Sequence, residues 1–565
     1  MDLYTPEGEK LQGQPWNCYP RPMLVRESFL CLNGMWDFAV TESSDIPETF
    51  PEQIRVPFPP ESLLSGIHRV PDEKAFLYYR TQFSLPEGFV KGRVILHFGG
   101  VDQIAEVWCN GVYTGRHEGG YEAFSFDITD SIRPGENTLI VKAADRMDDL
   151  VFPYGKQSRK PGGMWYTPVS GIWQTVWLES VPETYVKSLD IRCTLEQAEI
   201  TVRGIKEGDL TVEMPYGTEV IPLRDGKAVV APQNPIPWTP ENPHLYHFTV
   251  QSGEDTVRSY FALRTLETRE IGGIPRLCLN GKPVFFHALL DQGYFSDGIF
   301  TPASPESYTK DILFAKSLGF NTLRKHIKIE PAVFYAECDR LGMIVWQDMV
   351  NNGKYSFIRD TALPTVGLKK RNDRLLHRNR ETREKFLSGM ESAVKQLSNH
   401  PCICGWTIFN EGWGQFCGSE MYARLRELDD SRFIDTASGW FGDVDSDVVS
   451  EHVYFRKYRF RRGKKPVFLS EFGGYACKPE NHAFDPDKEY GYRFFKEQSA
   501  FEDAFVQLYE EEILPAAQAG LCGAVYTQLS DIEEETNGLI SYDRRVVKVN
   551  PVRVKAIGDR LTKFE

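Results

Sequence analysis

Residues 404–416 read CGWTIFNEGWGQF. The part from Trp406 to Phe409 is β-branched and aromatic, as a strand buried on both faces would be. It stops at Asn410-Glu411, an amide and a carboxylate between bulky aromatics, where turn residues would be usual. A second apolar run, VFLSEFGG (467–474), breaks the same way at Glu471. Either glutamate alone reads equally well as a capping or salt-bridging residue. Two of them, each at the end of a buried strand and each flanked by aromatics and glycine, point to chemistry.

Working outward, short apolar runs alternate with helical patterns from about Gly272 onward. Eight strands are expected: FFHALL (285–290), FNTLRKH (320–326), MIVWQD (343–348), CGWTIFNE (404–411), IDTAS (434–438), VVSEHVYF (448–455), VFLSEFGG and GAVYTQLSD (523–531). Between the first two, SPESYTKDILFAKSLG offers Ser304 as helix N-cap and Gly319 as stop. EPAVFYAECDRLG is the next helix, and Phe386, Met390, Val394 and Leu397 mark one face of the third. After IDTAS the linking helices are short or unclear. This alternation predicts a (β/α)8 TIM barrel over 269–565, with its active site at the C-terminal ends of the strands.

The chain before it reads as β structure. VILHFGG (94–100) alternates, and EVWCNGVYTG (106–115) places Asn110-Gly111 between two β-rich runs, a hairpin signal. Residues 1–180 therefore form antiparallel sheets in a sandwich or barrel. Residues 181–268 carry shorter strands with the rhythm of a small immunoglobulin-like β-sandwich. Pro232, Pro235, Pro237, Pro240 and Pro243 keep one of its connections out of any central strand.

Composition narrows the function classes. The 565 residues carry a formal net charge of −14, which argues against a nucleic-acid partner. No apolar stretch is long enough to span a membrane, and the N-terminal MDLYTPEGEKLQGQPWN lacks a signal-peptide core. Several of the eleven scattered cysteines lie in apolar runs, the pattern of free thiols in a reducing compartment, so a cytoplasmic location is expected. No dinucleotide, phosphate-loop, serine-elbow or zinc-protease motif is present, and Cys402 and Cys404 have no second pair to complete a zinc set.

Paired carboxylates at a barrel mouth suit glycoside hydrolysis, where one gives a proton to the leaving oxygen and the other attacks the anomeric carbon or activates water. Trp406, Phe409 and Trp413 offer an apolar setting for Glu411. Tyr454 is placed to bond Glu471, and Asn410 to bond a sugar hydroxyl. Arg324, His326, Asp348 and His452 also end strands and are candidate substrate contacts, as are Trp413 and Trp440. Trp440 and Trp346 read equally well as a sugar-stacking wall and as barrel packing, while the acidic run DIEEETNG (531–538) reads first as a solvated turn and second as a cation site.

Taken together, these stretches resemble glycoside hydrolase family 2. LNGMWDFAV (32–40), YYRTQFSLP (78–86), VWCNGVYTG (107–115) and SGIWQTVWLE (170–179) are similar to its N-terminal sugar-binding jelly roll, and WTPENPHLY (238–246) to its immunoglobulin-like domain. GWTIFNEGWGQF and LSEFGG look like its barrel strands four and seven. The resemblance implies a retaining exo-β-glycosidase acting on a carbohydrate. Glu411 would be general acid/base, Glu471 nucleophile, Asn410 the contact to the 2-hydroxyl and Tyr454 the group orienting the nucleophile. A retaining pair predicts carboxyl groups about 5–5.5 Å apart. β-Galactoside cleavage is the first expectation. β-Glucuronidase or another β-glycosidase activity is the alternative, and a non-catalytic carbohydrate-binding protein on the same scaffold comes from a different class.

The departures shape the rest. QDMVNNGKYS (347–356) stands where the large β-galactosidases carry metal ligands, so no catalytic metal and no cofactor are expected. NGLISYDRRVVK (537–548) stands where β-glucuronidases carry an Asn-x-Lys clamp. Tyr526 or Gln528 replaces the usual strand-eight tryptophan, and Arg324-Lys325-His326 is one residue shorter than the family's Arg-x-x-His. LLDQGYFSDG (289–298) reads as a subgroup-specific loop with Asp291 as a sugar contact. A homo-oligomer is left open, because loops such as YGKQSRKPGGMWYTP (154–168) can reach either a neighbouring subunit or the active-site mouth.

Overall fold

The computed structural model describes residues 2–562 apart from Val366, Lys369, Lys370 and Arg371. Eight parallel strands form the barrel: Phe286–Asp291, Thr322–Lys325, Ile344–Asp348, Ile403–Asn410, Phe433–Ser438, Val449–Val453, Val467–Gly473 and Gly523–Thr527. They pair in the order five-four-three-two-one-eight-seven-six. Strands five and six meet without a backbone ladder among the described residues. Side chains span that seam, with the Ser450 hydroxyl 2.6 Å from Asp435 and 3.4 Å from Ser438.

The ring is incomplete on its outer side. Helices follow strands one (Glu306–Ser317), two (Ala332–Leu341), three (Arg380–Leu397) and four (Gly418–Leu428), and others lie between strands seven and eight. Among the described residues no helix separates strands five and six, or six and seven. The short connections after IDTAS leave no room for one. The first helix also differs from expectation: it opens at Pro305 with no side-chain cap, and Ser304 contributes only its backbone carbonyl. In the third, Phe386, Met390, Val394 and Leu397 are all buried, and Asn379 caps the start.

Side chains fill the barrel floor. Trp346 stacks on Phe468 at 4.5 Å, with Phe286 and Phe433 edge-on and parallel around it. A Cβ at Gly405 would lie 2.5 Å from the Trp346 ring, so a glycine is needed opposite this tryptophan. Trp346 is thus barrel core, the second of the two readings open to it, and not a sugar-facing wall; its indole N–H donates to Thr407.

Upstream, the sheets of four and six strands enclose their own apolar core. Asn110 and Gly111 both take positive φ (52° and 80°), the geometry of a two-residue hairpin turn between Ile104–Cys109 and Val112–Glu118. Two further sheets, of three and four strands, build the smaller sandwich, and the proline-rich 231–245 contains no strand. Trp238 in that connection is buried, and its N–H donates to Asp339 of a barrel helix. The N-terminal arm runs over the barrel, bonding through Thr5 to Asp297 and through Trp16 to Pro302. A hairpin of Leu266–Ile271 and Ile274–Leu279 precedes the first barrel strand.

Candidate active site

Strand four leads into the mouth. Asn410 accepts a hydrogen bond from Arg324 at 2.9 Å through its side-chain oxygen. Glu411 then leaves the strand in the left-handed region, φ 54°, and its N–H donates to Ser438 O across strand five. The Gly-Trp-Gly that follows is a steric requirement. Gly412 and Gly414 both have φ near 70°, and a Cβ on Gly412 would press on the Phe441 ring at 2.3 Å. This sharp reversal turns Glu411 toward the mouth and Trp413 away from it.

Strand seven brings Glu471 to the same place. Its Oε1 accepts from Arg324 at 3.0 Å and its Oε2 from the Tyr454 hydroxyl at 2.5 Å. His452 lies between the two acids: Nδ1 is 2.9 Å from Glu411 Oε1 and 3.5 Å from Glu471 Oε2, and Nε2 is 3.0 Å from Ser438 Oγ. One oxygen of each glutamate and one ring nitrogen of His452 all lie within 4.8 Å of one another. Among the described residues they are the group that could also hold a metal ion.

The electrostatics separate the two carboxyls. Burial pushes Glu471 upward, but the charges of His452, Arg324 and His326 and the Tyr454 hydroxyl outweigh it and hold it well below the usual carboxylate range. Glu411 is more open to solvent, 15% exposed against 7% for Glu471, and is anchored through His452 and not by a fixed cation. Arg324 is wholly buried and ties the site together, reaching Asp348, Asn410, Glu471 and Ser470 O. Asp348 in turn takes His326 Nδ1 at 2.7 Å. Burial lowers His326, whereas Arg324 and His326 overcome burial to keep Asp348 low.

Glu411, Glu471, Asn410, Tyr454, Arg324, His326, Asp348 and His452 therefore form one bonded constellation. Trp440 borders it, donating to the backbone oxygens of Glu411 and Asp360 and packing edge-on to His452. Two expected substrate contacts lie elsewhere. Asp291 directs its carboxylate to Lys325 (2.6 Å) and Gly293 N–H in a buried ion cluster. Trp413 is enclosed by Tyr154 and Trp165, with its N–H on Gly353 O, so it supports the wall from behind.

The acidic run 531–538 is not a solvated turn. Glu533, Glu535 and Asn537 are buried, because this segment receives the loop 154–168. Thr167 N–H donates to Glu533, Gly163 N–H to Glu534 and the Tyr166 hydroxyl to Glu535. Gln528 bonds Gln292 and Asn537, whereas Tyr526 faces outward against Phe472 and Phe505. Loop 154–168 thus reaches the active-site mouth of its own chain.

Two family models fit this architecture: residues 64–182 match the sugar-binding domain of glycosyl hydrolases family 2, and residues 275–538 match its TIM barrel domain. The chain belongs to glycoside hydrolase family 2. A β-galactosidase of Thermoanaerobacter pseudethanolicus is 24% identical over 391 residues, 64% of this chain and 48% of that protein. The chain spans less than half the length of that relative. A β-glucuronidase of Felis catus is 24% identical over 541 residues, 80% of this chain and 79% of that one. A solved family 2 β-galacturonidase from Eisenbergiella tayi, bound to galacturonate, shares the fold with a TM-score of 0.68, at 19% identity over 97% of this chain and 99% of that one.

Sequence reasoning pointed to Gln528 and to loop 154–168 without assigning contacts within the loop, and it missed Ser438, Ser470, Thr527, Gln292 and Glu535. Serines and glutamines carry no signal of their own in a strand. The loop residues Trp165 and Tyr166 sit about 120 positions before the first barrel strand at Phe286, and only the domain packing brings them to the mouth.

Proposed function

We propose that this family 2 member is a retaining exo-β-glycosidase, with Glu471 as nucleophile and Glu411 as general acid/base. The observation that carries the reading is the spacing: Glu411 and Glu471 approach within 4.8 Å, in keeping with a retaining pair and well short of the roughly 6.5–9.5 Å an inverting enzyme leaves for water. Glu471 is held ionised by Arg324 and Tyr454, as a nucleophile must be. Glu411 gives its proton to the glycosidic oxygen while a Glu471 oxygen bonds the anomeric carbon, and the aglycone leaves as its alcohol. Water then enters, Glu411 takes a proton from it, and its oxygen displaces Glu471 with net retention. His452 orients Glu411 through this exchange, and Asn410, itself fixed by Arg324, offers its amide N–H to the sugar.

Loop 154–168 roofs one side of the mouth, which supports cleavage at a chain end over cleavage within a polymer. The relatives' names span β-galactosides and β-glucuronides, so the activity proposed is that of the shared site. A panel of 4-nitrophenyl α- and β-glycosides tests it. Turnover is expected for at least one β-glycoside and should fall by several orders of magnitude in Glu471→Gln. Unchanged turnover in that variant would show the nucleophile to be misplaced.

A further inference from the structure

Ser438 ends strand five and Ser450 lies on strand six, the two barrel strands that share no backbone ladder among the described residues. Together with Ser470 on strand seven, their hydroxyls form an unbroken path from His452 to Asp435. His452 Nε2 is 3.0 Å from Ser438 Oγ, Ser438 Oγ is 2.9 Å from Ser470 Oγ, and Ser470 Oγ is 2.7 Å from Ser450 Oγ. Ser450 Oγ is in turn 2.6 Å from Asp435 Oδ2. His452, Ser438, Ser470 and Asp435 are all buried, so the path lies inside the barrel wall.

The acid at the far end decides which way these bonds run. Burial pushes the Asp435 carboxyl up to about 6, against the Ser450 bond and the charges of Arg324 and His452, with Asp348 acting in the same sense as burial. It is therefore ionised at neutral pH. Lys464 and Lys465 line the same cavity of about 280 Å³ as Asp435 and Ser450. A carboxylate only accepts, and each serine has one proton to give. Ser450 donates to Asp435, Ser470 to Ser450 and Ser438 to Ser470. Ser470 can also turn to the Glu451 carbonyl at 3.3 Å, which leaves the direction of the Ser438 bond unchanged. Ser438 then has no proton left for His452, so Nε2 must carry one and donate it. On the other side of the ring, Nδ1 is 2.9 Å from Glu411 Oε1. With Nε2 committed as a donor, that contact is a hydrogen bond only while one proton lies between ring and carboxyl.

We propose that Asp435 is a positioning residue that acts on Glu411 through the three serines and His452, holding Nε2 as a donor and Nδ1 as the partner of the acid proton. The proposal rests on the reading of Glu411 as general acid/base. In the first step the shared proton goes to the leaving oxygen, and Glu411 is left facing a ring nitrogen with a bare lone pair. Two acceptors at this distance repel, so Glu411 is a strong base toward the incoming water and takes a proton back in the second step. The opposite tautomer, with its proton on Nδ1 and a bare Nε2, would donate to ionised Glu411, stabilise it without its acid proton and weaken both steps. Asparagine at 435 permits that tautomer, because its amide can donate to Ser450 and reverse the whole chain. A role confined to closing the seam between strands five and six would need the hydroxyls but not their direction.

The test uses the full chain as wild type, Asp435→Asn, Ser450→Ala and the double variant, with melting curves as the fold control. The substrates are a phenyl and a 2,4-dinitrophenyl β-glycoside of the sugar the protein turns over. Asp435→Asn is expected to lower kcat on the phenyl glycoside by about 10–100-fold, a part of what acid catalysis supplies, with KM within about twofold. On the dinitrophenyl glycoside, whose departure needs no proton, kcat/KM should stay within about threefold. Ser450→Ala should act alike, and the double variant no worse than either single, because both interrupt one chain. Ser450→Ala carries the test if Asp435→Asn fails to fold. Equal losses on both substrates, or additive losses in the double variant, overturn the proposal. Nitrogen NMR of ring-labelled histidine, with the His452 signals assigned by their absence in His452→Gln, reads the tautomer without turnover. A proton on Nε2 in wild type that moves to Nδ1 in Asp435→Asn supports the chain even where the glycosidase reading fails. A bare Nε2 in wild type, or an unchanged tautomer in Asp435→Asn, refutes it.

Discussion

Replacing Tyr454 by phenylalanine removes one hydroxyl and retains the ring that stacks on Tyr492 at 3.7 Å. That hydroxyl donates to Glu471 Oε2 at 2.5 Å and shares a hydrogen bond with Thr527 at 2.9 Å. A hydrogen bond to a charged group contributes about 1.5–3 kcal/mol, or roughly 10–150-fold. The sign follows from Glu471. Its folded value is depressed by His452, Arg324, His326 and Tyr454 against the opposing effect of burial. The nucleophile must be ionised, so kcat/KM rises with pH through that value. Without the hydroxyl the value climbs, and the acid limb moves toward neutral by about one to two pH units at 1.36 kcal/mol per unit. Linkage runs the same way. A depressed carboxylate contributes stability above its unfolded value of about 4.3 and loses it as pH falls through the folded value, so Tyr454→Phe reduces that contribution. The assay is kcat/KM on a 2,4-dinitrophenyl β-glycoside from pH 3 to 8, with melting curves as the fold control. An acid limb at the wild-type pH with undiminished kcat/KM would refute the assignment of Tyr454 to the nucleophile.

Three other outcomes follow from the same geometry. Glu411→Gly should lose about 10²–10⁴-fold on alkyl glycosides, far less on dinitrophenyl glycosides, and regain activity with azide; equal losses on both would remove Glu411 from the acid/base role. Lys325→Met leaves Asp291 and Glu330 buried without their cation and should cost about 3–5 kcal/mol in denaturant unfolding; a cost under about 1 kcal/mol would contradict the packing. Zn²⁺ should inhibit reversibly by bridging Glu411, His452 and Glu471, with chelator restoring activity and His452→Gln blunting the effect; inhibition of equal strength in that variant would place the ion elsewhere.

The barrel was legible because buried parallel strands are written as unbroken apolar runs. A polar residue ending such a run, as Glu411, Glu471, Arg324 and Asp348 do, stands out against it. Position in the strand could be read, but direction of the side chain could not. Trp413 looks like a substrate contact in the sequence and Trp346 fits a sugar platform or barrel packing equally, yet one turns behind the mouth after Gly412 and the other fills the floor opposite Gly405. Asp291 was legible as a strand-end acid, but its partner Lys325 sits on the neighbouring strand, a pairing only register reveals. The run 531–538 misleads for a related reason. Acidic letters suggest solvent, but Glu533 and Glu535 are buried by main-chain and tyrosine donors arriving from residues 166–167. Helices after strands five and six were weakly written and are absent among the described residues.

The most direct measurement is to map the covalent intermediate. The protein is inactivated with a 2,4-dinitrophenyl 2-deoxy-2-fluoro-β-glycoside of the sugar it turns over, then digested and sequenced by mass spectrometry. A retaining site built on Glu471 predicts a single glycosyl ester on that residue, with Glu411 unmodified. An adduct on Glu411, or steady turnover of the fluorosugar with no adduct, would contradict the central assignment.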